Sequence, residues 1–270
     1  MSRKKLYIFG DSWTDDTYAV DQRYAHELST KNKNELNNDK ISRVSYTWGK
    51  YVSDLLDADL GNFAIRGDGN WRIQQNILNK IFVEQKQIDI VMVLWSEPVR
   101  SPFGCWTLKP YSPRRTDNHD FIAAASKVMQ DEIVKIPEKR LRLVMKFIYK
   151  DFVNQITGLC RIFEERNIEY IMAMGFHPHI GPSNEISFDY FNKIWQEVLS
   201  KSPKMPENVI GWPFVKDFGG WNMSDKLGVS NRWSNSTDQH FFDTSYHPNK
   251  SGHLLIADEM LKGYDKIYGK

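Results

Sequence analysis

A serine near the start of the chain and a histidine near its end are the residues best suited to covalent chemistry. Ser12 follows the apolar run Leu6–Phe9, and His247 precedes a segment with helical periodicity. Serine is a weak nucleophile until a base takes its proton, so such a pair predicts acyl transfer through a covalent intermediate. In an open α/β fold, both residues would reach the carboxyl edge of one sheet, where such sheets hold their ligands.

The elements that must position this pair alternate along the chain. Apolar runs predict strands at 6–9, 59–64, 88–95 and 168–176, with a weak fifth at 209–212, and periodic segments predict helices at 46–57, 71–84, 137–166, 187–199 and 252–268. Alternating strands and helices favour a parallel sheet with helices on both faces. We therefore expect one three-layer α/β/α domain over residues 1–270, with about five strands and loop insertions near 98–118 and 213–242.

Composition narrows the classes of partner. A net charge of +2 over 270 residues gives no basic surplus for nucleic acid. No stretch approaches the roughly 20 apolar residues of a membrane span, and the N-terminal apolar run is shorter than the roughly 7–15 residues of a secretory signal. We expect a cytoplasmic protein, with virion association open, that binds neither nucleic acid nor membrane. Cys105 and Cys160 fit no metal spacing and are interpreted as ordinary thiols.

Three short blocks resemble the SGNH (GDSL-type) hydrolase superfamily. They are Gly10-Asp11-Ser12, the segment 62–67 (Asn-Phe-Ala-Ile-Arg-Gly), and the segment 247–253, in which His247-Pro-Asn is followed by Gly252-His253. Their order along the chain is similar to that in the superfamily, of which this chain looks like a divergent member. The resemblance implies a flavodoxin-like strand order, ester hydrolysis without cofactor or metal, Ser12 as nucleophile and His247 as general base.

The resemblance also implies roles in stabilising the oxyanion and orienting the base. The backbone N–H groups of Ser12 and Gly67 would donate to the oxyanion. Ser96 stands where the superfamily has a third donor, an asparagine, and a hydroxyl is a shorter donor than an amide. The superfamily's acid lies three residues before the histidine, where this chain has Thr244. Asp243 is the candidate acid, and Asp238 or no acid at all are the alternatives.

The segment 94–100 (Leu-Trp-Ser-Glu-Pro-Val-Arg) stands where the resemblance places a further block of the superfamily, here called the third block, and residues in it are candidates for substrate contact. Trp95 and Arg100 are these candidates, and the Trp-Ser-x-Pro-x-Arg pattern of the block resembles what we expect of phage- or virus-encoded relatives. Further tryptophans lie in loops, where they either stack on sugar rings or form small loop cores: Trp106, Trp212, Trp221 and Trp233. His177 and His179 are spaced like metal ligands, but no acidic or cysteine partner completes a site.

These observations predict a serine esterase that removes acetyl or other short acyl groups, with a small-molecule or glycan ester as substrate. Two alternatives remain open. The first is a catalytically weakened SGNH fold that binds glycans or serves as a structural part of a virion or other assembly, because the third block and the acid both depart from the superfamily pattern. The second is a lipid-directed esterase. The sequence leaves the oligomeric state open.

Overall fold

The computed structural model describes residues 3–11, 13–14, 47–65, 69–98, 138–178, 188–228 and 248–269. Four strands within these ranges form one sheet: β1 (Lys4–Gly10), β2 (Ala58–Asn62), β3 (Ile90–Trp95) and β4 (Glu169–Met174). All neighbouring pairs are parallel and the order is β2-β1-β3-β4. The predicted parallel sheet and its flavodoxin-like order are confirmed.

Within the described ranges, the sheet has one strand fewer than expected. The segment at 209–212 makes a single parallel bridge, between Val209 and Met172, and no named strand. Two backbone hydrogen bonds flank this bridge, from Met172 N–H to the Asn208 carbonyl at 2.9 Å and from Ile210 N–H to the Met172 carbonyl at 2.9 Å. The four-residue segment 209–212 is long enough only for this one contact with β4. The described sheet therefore has four strands rather than about five.

Five helices follow the predicted pattern with shifted ends, and a sixth, the short helix Met223–Lys226, was not predicted. They are α1 (Trp48–Leu55), α2 (Asn70–Leu78), α3 (Glu138–Glu165), α4 (Phe188–Leu199), α5 (Met223–Lys226) and α6 (Lys250–Tyr268). The helix predicted over 71–84 was wrong in its second half, because residues Asn79–Val83 form a π-helical turn. Glu84 N–H donates to the Asn79 carbonyl there, a bond that spans five residues.

Each face of the sheet packs on its own helices. Val91, Val93 and Trp95 of β3 join the core that includes α2, α3 and α4. Met92 and Leu94, on the other face, join the core that includes α1 and α6. This alternation follows from the two-residue period of a strand, and full burial on both faces explains why β3 reads as an unbroken apolar run. The architecture is the expected three-layer α/β/α arrangement.

The expected loop insertions fall largely outside the described residues. Only their edges are described, at 98 and over 213–228, where the chain forms a 3₁₀ turn (Lys216–Phe218) and α5. The single-domain interpretation of residues 1–270 stays a prediction. Among the described helices, none combines the length and apolar character that crossing a bilayer requires.

Candidate active site

Most of the predicted site residues lie outside the described part of the chain. These are Ser12, Gly67, Arg100, Asp243 and His247, together with the rival acid Asp238. Their roles stay predictions. Trp95 and Ser96 are described, and so are the residues that flank each block, which locate where the blocks enter the fold.

The turn that follows β1 is held by backbone and side-chain hydrogen bonds on both sides of position 12. Trp13 N–H donates to Asp11 Oδ1 at 3.0 Å, and Thr14 N–H donates to the Asp11 carbonyl at 2.9 Å. Asn62 Nδ2, at the end of β2, donates to the Thr14 carbonyl at 2.9 Å. The conformation on either side of the predicted nucleophile is therefore tied to the neighbouring strand.

Gly10 is required at the start of this turn by close packing. A β-carbon at this position would lie 2.2 Å from Thr14 Oγ1 and 2.9 Å from the Leu94 carbonyl oxygen. Both distances are far inside van der Waals contact, and the second neighbour is backbone, which cannot move aside cheaply. The glycine of the first block thus lets the turn fold back over the sheet edge.

The second block continues along the same edge. Ile65 N–H donates to the Gly10 carbonyl at 3.1 Å, and Ala64 N–H donates to Asn62 Oδ1 at 3.1 Å. The chain beyond β2 therefore stays beside the end of β1 as far as Ile65, two residues before the predicted oxyanion donor Gly67.

Ser96 ends β3 in a buried group of polar residues that we call the edge cluster: Asp11, Asn70, Ser96 and Glu97. Their exposed fractions are 1%, 1%, 0% and 2%. The Ser96 hydroxyl lies 3.1 Å from Asp11 Oδ2 and 2.7 Å from Glu97 Oε2. Asn70, the first residue of α2, accepts the Ser96 N–H at 2.9 Å and donates Nδ2 to the Ser96 carbonyl at 2.9 Å. Ser96 therefore lies beside the Gly-Asp-Ser turn, as its block predicts, but with its hydroxyl directed at carboxylates.

Trp95 belongs to the core that includes α2, α3 and α4, on the face of β3 opposite to Met92 and Leu94. Its ring has no exposed surface and packs edge-on against Phe152 of α3, with ring centroids 5.8 Å apart. The ring is enclosed in this core, and its predicted contact with a substrate stays a prediction.

The segment that follows His247 is joined to the start of α1. Asn249 caps α6 by accepting the Gly252 N–H at 3.0 Å, and His253 Nδ1 accepts the Trp48 N–H at 3.3 Å. An imidazole nitrogen that accepts a hydrogen bond carries no proton, so the proton of neutral His253 is on Nε2. Helix α1 precedes β2, and β2 begins at the amino edge of the sheet. The start of α1 therefore lies at the opposite, carboxyl edge. The described start of α6 therefore lies at that edge, next in the sequence to the predicted base His247.

The end of β4 also approaches the turn after β1. The rings of Trp13 and Phe176 pack with centroids 4.2 Å apart. His177 follows, and burial lowers the pKa of its imidazole, with the charges of Asp225 and Asp217 opposing that shift. Within the described residues, no group of three or more histidine, cysteine or acidic side chains is placed to hold a metal ion.

The two described loop tryptophans pack within the fold. Trp212 lies edge-on to Trp195 and Phe214, at centroid distances of 5.8 and 5.2 Å. Trp221 has Lys226 Nζ 4.5 Å above its ring. Both observations favour the loop-core interpretation for these two residues. Trp106 and Trp233 lie outside the described residues.

Sequence reasoning missed Asn70 and Glu97. Asn70 stands three residues after Gly67, at a helix start where a polar residue is ordinary, and Glu97 is an acidic residue beside a predicted loop. The one available signal was their position in the sequence, since both residues lie close to functional residues of the predicted blocks. Sequence reasoning also left Cys160 without a function, and the structure agrees: the thiol is free and burial raises its pKa to about 11, which disfavours thiolate chemistry.

No family profile and no curated protein matches the chain. Solved structures resemble it over nearly its full length. An acetyl-xylooligosaccharide esterase from Geobacillus is 13% identical, with 97% of this chain and 94% of that one covered and a TM-score of 0.45. The esterase EstA from Pseudoalteromonas is 14% identical, with 99% and 100% covered and a TM-score of 0.41.

A third similar structure is a carbohydrate esterase family 2 enzyme with a carbohydrate-binding domain, from Corynascus thermopiles. It is 11% identical, with 100% of this chain and 68% of that one covered and a TM-score of 0.44. The expected kinship with phage or viral proteins is not supported by these comparisons. At such identities and TM-scores the neighbours' activities do not transfer to this chain, so the fold assignment rests on the observed strand order and layers.

Proposed function

We propose that the chain is a serine ester hydrolase of the SGNH type that removes acetyl or other short acyl groups. One observation carries the proposal: the described flanks of all four motif segments meet at the carboxyl edge of one parallel sheet. Gly10 and Asp11 follow β1, Ile65 runs beside the end of β1, Ser96 ends β3, and Asn249 begins the helix that is bonded to the start of α1. Ligand sites of open α/β sheets lie at this edge.

In the proposed reaction, Ser12 Oγ attacks the acyl carbonyl carbon while His247 accepts the hydroxyl proton. The carbonyl oxygen becomes an oxyanion that accepts hydrogen bonds from the backbone N–H groups of Ser12 and Gly67. His247 then gives its proton to the departing alcohol, which leaves an acyl-serine. Water, deprotonated by His247, attacks the acyl carbon, and Ser12 recovers the proton as the carboxylic acid leaves. Asp243 orients the imidazole.

We propose an acylated carbohydrate as the substrate class. The support is the sequence of the expected loop insertions near 98–118 and 213–242. They hold Trp106 and Trp233, aromatic side chains suited to stacking on sugar rings, and Arg100, which can donate several hydrogen bonds to sugar oxygens. Trp212 and Trp221 are not part of this argument, because both pack within the fold.

A weakened enzyme that binds glycans is the second candidate, and the edge cluster favours it. The Ser96 hydroxyl contacts two buried carboxylates, so the third oxyanion donor of the superfamily has no free counterpart. The absence of one oxyanion donor typically costs about 10²- to 10³-fold in turnover. A slow enzyme or a pure binding protein would both agree with that loss.

Labelling by a serine-reactive fluorophosphonate tests the proposal. We expect the probe to modify Ser12, as located by peptide mass spectrometry, and we expect Ser12→Ala to abolish hydrolysis of a chromogenic acetyl ester without changing the melting temperature. The hydroxyl is needed only for the chemical step, which is why stability should be unaffected. Ser200→Ala, at an exposed hydroxyl beyond α4, is the matched control and should retain full activity.

Two results would contradict the hydrolase. One is a Ser12→Ala protein that keeps more than a few per cent of the wild-type rate. The other is a folded wild type that neither reacts with the probe nor hydrolyses the ester. If that inactive wild type still binds acetylated oligosaccharides in calorimetry, the glycan-binding candidate replaces the enzyme.

A further inference from the structure

From the edge cluster we infer that Ser96 and Glu97 are positioning residues that hold the Gly-Asp-Ser turn in its reactive geometry, and that Ser96 is not an oxyanion donor. This inference rests on the proposed function. It reverses the role that the sequence resemblance implies for Ser96, and it gives Glu97 a role that the sequence did not suggest.

The hydrogen-bond donors of Ser96 are all used inside the cluster. Its hydroxyl has a single proton, and that proton faces two carboxylate oxygens, Glu97 Oε2 at 2.7 Å and Asp11 Oδ2 at 3.1 Å. Its backbone N–H donates to Asn70 Oδ1 at 2.9 Å. Donation to an oxyanion would exchange one charge-assisted hydrogen bond for another, so the exchange would add little stabilisation.

The cluster reaches the predicted nucleophile through Asp11. One oxygen of this carboxylate, Oδ2, contacts the Ser96 hydroxyl, and the other, Oδ1, accepts the Trp13 N–H at 3.0 Å. Asp11 therefore links the end of β3 to the residue that follows position 12. Since Asp11 and Trp13 are the direct neighbours of Ser12, the carboxylate bridge sets the conformation on both sides of the attacking hydroxyl.

The other end of the link is fixed as well. The Asn70 amide makes two hydrogen bonds to the backbone of Ser96, both of 2.9 Å, so the serine cannot shift along the strand without breaking them. All members of the cluster are at most 2% exposed, and hydrogen bonds between buried groups are strong because little water competes for them. The result is a rigid bracket that runs from α2 through β3 to the turn after β1.

A displaced nucleophile loses rate rather than affinity. A misplacement of about 1 Å costs about 10²-fold in rate, and interactions that act on the chemical step change kcat while KM stays the same. The bracket therefore predicts that its variants lose kcat.

Replacing Ser96 by asparagine distinguishes the two roles, because they predict changes of kcat in different directions. If Ser96 were an oxyanion donor, Ser96→Asn would restore the superfamily's amide and keep or raise kcat. If Ser96 is a positioning residue, the longer amide disrupts the carboxylate bridge, and kcat for a chromogenic acetyl ester falls by about tenfold or more while KM stays within about twofold. Rates are expressed per folded molecule, from circular dichroism and melting curves.

Glu97 supplies the second variant, in case Ser96→Asn does not fold. Glu97→Leu removes the acceptor at similar size. An oxyanion-donating Ser96 would thereby be freed and kcat would hold or rise, whereas the bracket predicts a fall of about tenfold. Glu97→Gln is the matched control, because its amide oxygen still accepts the serine proton, and we expect it to recover most of the kcat that Glu97→Leu loses.

Coupling between the two positions completes the test. Because Glu97 acts through Ser96, Glu97→Leu should cost little further kcat in a Ser96→Ala background, and the two losses should not add. Fully additive losses would overturn the inference, as would a Ser96→Asn or Glu97→Leu enzyme of wild-type kcat. A wild type without hydrolysis or probe labelling is a different result, which overturns the proposed function and the inference with it.

Discussion

At the scale of residues, the chemistry at the carboxyl edge of the sheet depends on which groups accept each hydrogen-bonding proton. Ser96 illustrates this, since its hydroxyl meets two carboxylates in a site without exposed surface. His253 is a second case: its Nδ1 accepts the Trp48 N–H, which leaves the proton of the neutral ring on Nε2. The resemblance to the superfamily suggested a donor at position 96, and the structure shows that this hydroxyl already contacts neighbouring carboxylates.

The orienting acid is the residue-scale prediction that most needs a measurement. Asp243 lies four residues before His247, one more than in the superfamily, and we expect Asp243→Asn to lower kcat by up to about 10⁴-fold because the imidazole loses its orienting partner. Stability should change little. Initial rates with a chromogenic acetyl ester provide the measurement.

Asp238→Asn is the control for that experiment, since Asp238 is the rival acid. We expect it to keep the wild-type rate. If Asp238→Asn loses activity and Asp243→Asn does not, the acid has been assigned to the wrong residue. Near-normal rates in both variants would mean a serine–histidine dyad in which a backbone carbonyl, Thr244 or water holds the imidazole.

At the scale of elements, we expect the first turn of α6 to affect the candidate site more than the length of this helix does. Its first turn is held by the Asn249 cap and by the His253 bond to α1. Because position 247 lies two residues before the cap in the sequence, we expect the start of the helix to influence the placement of His247, the proposed general base. Tyr264 and Tyr268 hold the other end: Tyr268 OH accepts the Tyr170 N–H at 3.1 Å and the Asn208 amide at 2.7 Å.

Removing the cap should therefore affect stability and catalysis together. We expect Asn249→Ala to lower the free energy of unfolding by about 1 kcal/mol, within the range of roughly 0.5–2 kcal/mol that capping residues contribute, as measured by urea denaturation. We also expect kcat to fall, since position 247 loses its anchor.

Asn249→Asp is the matched variant, because a carboxylate oxygen caps equally well and also interacts favourably with the helix N-terminus. It should match the wild type in stability and in rate. A stable, fully active Asn249→Ala protein would show that α6 is held by other contacts and that its cap has no influence on the base.

At the scale of the whole molecule, the sequence was sufficient to predict the four described strands and insufficient to predict the contacts among loops. Strand β3 was predictable because a strand buried on both faces is a continuous apolar run in the sequence. The π turn at Asn79–Val83 was not, since Ile81 continues the helical apolar pattern and the change lies only in which carbonyl accepts each N–H.

The position of Ser96 at the sheet edge was predictable, and its hydrogen bonds were not. Block order places Ser96 at the sheet edge, and the structure agrees. The sequence shows that Glu97 is charged, however, and gives no sign that it is 2% exposed. Asn70 reaches Ser96 across 26 positions of sequence, a contact that depends on how α2 packs on the sheet, and local patterns carry no information on such packing.

The pH dependence of stability is a property of the whole molecule. His177 contributes to it in a direction that follows from the shift of its pKa. Burial lowers the pKa of this imidazole from its ordinary value of 6.5. The unfolded chain therefore binds a proton at a higher pH than the folded protein does. Where the unfolded state binds more protons, stability rises with pH. The contribution of His177 is thus fully present above about pH 6.5 and is lost as the pH falls through that value toward the lower pKa of the folded state.

We expect His177→Gln to flatten this acid loss, because glutamine does not titrate. The measurement is the melting temperature between about pH 7 and 5, compared as the difference between variant and wild type so that other groups cancel. Asp217→Asn should act in the opposite direction, since the charge of Asp217 raises the pKa of His177 and its loss lowers that pKa further, so the acid loss becomes steeper. Equal slopes in all three proteins would show that His177 titrates alike in the folded and unfolded chains, and that burial at the end of β4 does not oppose its charge.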